Sequence, residues 1–60
     1  MEEKQKLKEL IIQIKSKNPN VDNSECVAEM MDLFTDWKPF DDEELEHWTL
    51  YAEELADNFL

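Results

Sequence analysis

The chain contains no glycine, and its two prolines, Pro19 and Pro39, each stand where a run of helical spacing stops. Proline lacks a backbone donor and its ring collides with the preceding turn, so a helix does not run through either position. The sequence is thereby cut into three segments. Each carries apolar residues at helical intervals.

In the first segment Leu7, Leu10, Ile11 and Ile14 recur at the spacing that lines one face of a helix, while Ile12 points away from that stripe. Glu2 and Glu3 lie early and Lys15 and Lys17 late, as the helix dipole favours. Asn18-Pro19-Asn20 closes a helix predicted over residues 3–17.

The second segment opens with a start signal. Asp22 stands as N-cap, Glu25 as the third helical residue able to reach back to it, and Val21 as an apolar residue that packs on Cys26. Cys26, Val27, Met30, Met31, Leu33, Phe34 and Trp37 then spread over an apolar arc of about 160°. That is broader than one neighbouring helix requires, so the helix at 22–37 is expected to be the central and most buried.

The third segment repeats the device, with Phe40, Asp41, Glu44 and Leu45 in the places of Val21, Asp22, Glu25 and Cys26. Leu45, Trp48, Ala52, Leu55, Ala56 and Phe59 form its inward stripe, with Thr49 and Tyr51 flanking, and the helix is predicted over 41–58. Connections this short favour antiparallel neighbours. The expected fold is all-α, a compact three-helix bundle in one domain over residues 1–60.

A chain of 60 residues buries only about 60% of the surface its unfolded form exposes. Small domains of this kind lean on a staple, a partner subunit or very regular helix packing. Cys26 is the only cysteine and His47 the only histidine, so neither a disulfide nor a four-ligand zinc site is available. Efficient packing or self-association remains. The amphipathic N-terminal segment lacks the apolar run of an export signal, nothing reaches the length of a membrane span, and one free thiol agrees with a reducing compartment. A cytoplasmic protein without membrane contact is expected.

Charge is unevenly divided. Residues 1–17 hold five lysines against three glutamates, a net of +2, whereas residues 18–60 hold thirteen carboxylates against Lys38 alone, a net of −12. Arginine, the preferred reader of phosphates and bases, is absent. Direct nucleic-acid binding is therefore not expected. Self-repulsion at a net charge of −10 also costs stability, so solubility alone is an incomplete reason for it.

The cluster Asp41, Asp42, Glu43, Glu44 and Glu46 invites an acid–base reading, but such chemistry needs a carboxyl with a raised pKa in an apolar pocket. These carboxylates sit at an exposed helix start, where the dipole holds them ionised; capping and solvation account for them. A calcium loop beginning at Asp36 would place Lys38 at its third position and lacks the required glycine. His47 reads as a solvated surface residue, and Cys26 as a small buried hydrophobe with no basic neighbour to activate it. The five residues Trp37, Phe40, Trp48, Tyr51 and Phe59 read first as core, with some available to a self-association seam. No catalytic residue, metal or cofactor is expected.

On a helical wheel Glu43, Glu46, Leu50, Glu53, Glu54 and Asp57 gather opposite the inward stripe of the third helix. Isolated exposed leucines are common and need no explanation. A leucine ringed by carboxylates also has the composition of an interface anchor with a polar rim. From Asp41 to Asp57 eight carboxylates fall along about 24 Å of helix, roughly one per 3 Å, against about 3.4 Å per charge on a single DNA strand. A neutral stretch from His47 to Ala52 interrupts them.

The first functional expectation is a non-enzymatic binding protein whose acidic face docks on a basic surface of a partner, in particular a nucleic-acid-handling protein. The second is a small homo-oligomeric subunit whose lysine-bearing first helix, exposing Ile12, pairs with the acidic surface of a neighbouring copy. Arginine-free, lysine- and asparagine-rich usage of this kind is compatible with an AT-rich genome, and tiny acidic helical proteins are frequent among phage gene products.

Overall fold

Three helices, Glu2–Lys17 (α1), Asn23–Trp37 (α2) and Asp42–Asn58 (α3), make up the fold in a computed structural model that describes residues 2–59. The Glu3–Lys38 ion pair sets the start of α1 beside the end of α2, and the Asn23–Asp57 hydrogen bond sets the start of α2 beside the end of α3. The bundle therefore runs up, down and up, with α2 packed against both neighbours and α1 touching α3 more lightly. The central place expected for α2 is observed. It is not the most buried helix, because α1 buries as many side chains. The radius of gyration, 10.6 Å, is close to the ~10.4 Å of a folded chain this long.

The apolar stripes meet as their spacing requires. Leu7, Leu10, Ile11 and Ile14 of α1, Cys26, Val27, Met30 and Phe34 of α2, and Trp48, Ala52 and Ala56 of α3 form one core with Val21. Met31, Phe40, Tyr51 and Leu55 pack on it half-buried. The two alanines matter at this size, since a small side chain lets the α3 backbone approach its neighbours while Trp48 supplies volume. Phe34 is the centre. Its ring lies 4.5 Å from Phe40 in a stacked pair, 5.8 Å from Trp37 and 6.0 Å from Trp48 edge-on.

The arc of α2 exceeds what two neighbours cover, and Leu33 and Trp37 stay 45% and 37% exposed at its margin. Phe59, expected on the inward stripe, is a correction: it lies past the last turn of α3 as its C-cap, extended and 37% exposed. Once the helix ends, the helical period no longer aims the side chain at the core.

The two start signals behave differently. At α3 the capping box closes, with the Glu44 N–H donating to Asp41 Oδ1 at 2.9 Å and the Asp41 N–H to Glu44 Oε1 at 3.3 Å. At α2 it does not: Asp22 has the extended N-cap backbone but its side chain makes no capping bond. Here the start is held by burial of Val21 and Cys26 in the core and by the Cys26 N–H on the Asp22 carbonyl at 2.8 Å. The exposed Asp22 carboxylate is left in water.

The ends follow proline chemistry. Lys38, the residue before Pro39, is extended at φ −160° and ψ 157°, the region that the following ring imposes. After α1, the Val21 N–H bonds the Asn18 carbonyl at 3.1 Å across Pro19-Asn20. Among the described residues none has positive φ and no peptide bond is cis, so a chain without glycine meets no turn that needs one.

Two outcomes test this account by chemical unfolding followed by circular dichroism. Asp41→Ala should cost roughly 1 kcal/mol, the usual value of a helix cap, whereas Asp22→Ala should cost only a few tenths. Equal losses would contradict the asymmetry between the two starts. Phe34→Ala should cost roughly 3–5 kcal/mol, comparable with the whole stability of so small a domain, and should leave much of the population unfolded.

Candidate interaction surface

The residues singled out on α3 all reach solvent. Glu43, Glu46, Glu53, Glu54 and Asp57 are exposed, and Leu50 among them is 60% exposed, more than any other large apolar residue described. Leu50 leaves the core because its neighbours in the sequence take it: Trp48 and Ala52 turn inward, and the intervening residue of a helix does not share their face. The helix carrying these side chains is pinned at its start by the capping box and at its end by the Asn58 side chain donating to the Glu54 carbonyl at 2.9 Å. Charge is thus mounted on a fixed frame.

Four of the six residues share one shallow concavity. Leu50, Glu53, Glu54 and Asp57 line it together with His47 and Tyr51, while Glu43 and Glu46 lie nearer the helix start. Glu53 and Asp57 also border a groove with Asn23, Ser24 and Val27 of α2, where the Asn23 amide donates to Asp57 Oδ1 at 2.9 Å. The face therefore extends over the start of α2. Asn23, on α2, is a member that the α3 wheel does not reveal; His47 and Tyr51 stand on α3 itself, His47 as near to Leu50 around the wheel as Glu53. His47, solvent-exposed, sets its ring 4.7 Å from Trp48 at a steep angle.

The eight-carboxylate ladder is shortened in the fold. Asp41 and Glu44 turn to each other in the capping box, leaving Asp42, Glu43, Glu46, Glu53, Glu54 and Asp57 free of that duty. The arrangement presents solvated negative charge around one apolar side chain. Among the described residues, no three His, Cys, Asp or Glu side chains are grouped to hold a metal ion, and no helix is long and apolar enough to cross a membrane.

Four of the six lysines lie over rings. Lys38 makes the ion pair with Glu3 at 2.9 Å and sits 5.6 Å and 5.5 Å from the centres of Trp37 and Phe40. From α1, Lys6 reaches Trp37, Lys4 reaches Tyr51 and Lys15 reaches Phe59, each within 6 Å of the ring centre. Their stems cover apolar edges that a bundle of this size leaves open. The Lys38 hydrogen bond holds the Glu3 carboxyl below the usual carboxylate range, and the same contact raises Lys38.

Cys26 is fully buried, with Sγ 3.9 Å from the Met30 sulfur, and burial pushes its thiol above the ordinary cysteine value. This agrees with the small buried hydrophobe expected from sequence. Searches of protein-family models, of curated proteins and of solved structures return no match to this chain.

The state of Cys26 is directly measurable. At neutral pH a thiol reagent should label the folded protein far more slowly than the denatured protein, with the folded rate following global or local opening. Equal rates would show that the thiol reaches water in the folded state.

Proposed function

We propose that this chain is a non-enzymatic binding protein whose α3 outer face docks on a basic surface of a partner protein. The observation carrying this reading is Leu50, 60% exposed in the midst of Glu43, Glu46, Glu53, Glu54 and Asp57. A charged rim draws a basic partner into encounter and fixes its orientation, while the apolar centre contributes once water is excluded. Neither alone is adequate: exposed ion pairs contribute little, and one leucine has little area.

The partner class follows from charge density. The five carboxylates from Glu43 to Asp57 fall along about 21 Å of helix, roughly one per 4 Å with a gap between Glu46 and Glu53, which approaches the spacing of phosphates along a strand. The preferred partner is therefore a nucleic-acid-handling protein, and the consequence of docking is inhibition by occupation of its groove. An enzyme of host defence or of transcription fits this description. Because Asp41 and Glu44 serve the helix cap, the mimicry rests on Glu43, Glu46, Glu53, Glu54 and Asp57, with Asp57 positioned by Asn23.

The test compares capture from an extract of the protein's own cells by the wild type and by a variant reversing Glu46, Glu53 and Asp57 to lysine. The wild type should retain a basic protein, release it when duplex nucleic acid is added, and lose affinity steeply between roughly 50 and 200 mM salt. The triple reversal should weaken binding about 100-fold or more. Capture that is indifferent to salt, or shared equally by the variant, would refute the reading.

A further inference from the structure

Beside the acidic face, α1 carries its opposite. Lys8 and Lys15 lie one turn to either side of Ile12, which is 54% exposed, and Lys4 continues the strip one turn earlier. By the helical step of about 100° per residue, Lys4, Lys8 and Lys15 lie to the α3 side of Ile12, whereas Glu9, one turn before it, and Glu2 lie to the α2 side with Trp37. Ile12 is thus an apolar residue bordered by lysines on its α3 side, whereas Leu50 is one set among carboxylates. The two strips are neighbours in the fold, since Lys4 reaches the ring of Tyr51 at 5.7 Å and Lys15 that of Phe59 at 5.9 Å. Tyr51 in turn shares the concavity of His47, Leu50 and Glu54.

We propose that a second copy of this chain docks across the side of the bundle formed by α1 and α3, with Lys8, Ile12 and Lys15 of each copy against Leu50 and Glu54 of the other. The inference rests on the outer face of α3 being a docking surface, but not on the identity of any outside partner. One copy holds both strips side by side, so a two-fold axis running along the helices places each lysine strip on the other copy's acidic strip and closes the pair. Two such contacts form at once, and Ile12 and Leu50 are removed from water in both copies.

Charge complementarity selects this side over the opposite seam. Leu33 and Trp37 are also exposed there, but Lys6 and Lys17 are interspersed with Glu2, Glu9 and Glu29, and no strip of one sign develops. The net charge of −10 on each copy opposes approach at long range. At physiological ionic strength that repulsion is screened beyond about 8 Å, while strips in contact are screened less. The dimer and a basic partner compete for Leu50, so self-association sets how much of the acidic face is free.

Sedimentation at physiological ionic strength, from micromolar to millimolar protein, reads the outcome. The wild type should rise from monomer to dimer mass. Lys8→Glu with Lys15→Glu, and separately Glu54→Lys, should each remain monomeric at concentrations where the wild type is dimeric, with unchanged helical circular dichroism. An equimolar mixture of the two variants should dimerise again, because each now carries the complement of the other. A wild type that stays monomeric throughout overturns the proposal, as does a dimer that persists in both variants. Either result leaves capture of a basic partner to be judged separately, since Lys8 and Lys15 lie outside the acidic face. Capture is therefore judged on the Lys8→Glu, Lys15→Glu variant, whose acidic face is left free: failure there, with an intact wild-type dimer, would remove the partner reading alone.

Discussion

The ring of Phe34 is shared by three parts of the chain. It belongs to α2, stacks on Phe40 in the connection and meets the edge of Trp48 in α3. Folding 60 residues gives little apolar area against the conformational entropy lost, and one fully buried aromatic in contact with three others concentrates that area where α2, the turn and α3 converge. The alignment of α3 follows from it. With Trp48 held against Phe34, Ala52 and Ala56 are carried inward on the same face, and Leu50 is carried out.

Charge works against this core. Residues 18–60 have a net charge of −12, and Lys38 is their only cation. That lysine stands at the junction of α2 and α3, on Glu3 and over two rings. Three of the five lysines of α1, Lys4, Lys6 and Lys15, likewise lie against aromatic rings elsewhere in the chain. Much of the positive charge is thus used to complete the packing, and among the described residues no lysine forms an ion pair with a carboxylate of α3.

Much of this is legible in the order of residues. Prolines and apolar spacing locate three helices to within a residue or two, because both act locally and the core accepts the stripes they define. The exposed positions of Ile12 and Leu50 follow from the same periodicity. What the pattern misses depends on neighbours in space. The motifs at Asp22 and Asp41 look alike, yet only Asp41 closes its box, while at the α2 start Val21 and Cys26 are buried in the core. Phe59 reads as inward until the helix ends beneath it. The lysine–ring contacts and the Asn23–Asp57 bond join residues far apart in the chain, and no periodicity within one helix announces them.

The backbone of this domain has a further property with consequences for its history. With no residue described at positive φ and no glycine anywhere in the chain, no described turn reserves a position for glycine. The lack of glycine also restrains the unfolded chain, so there is less freedom to lose on folding. Selection acting on such a scaffold meets resistance from a dozen buried side chains and from the two prolines between its helices. The outer surface can change sign, shape or target while the bundle beneath it stays the same, so descendants of one ancestor could share this architecture with scarcely a common exposed residue.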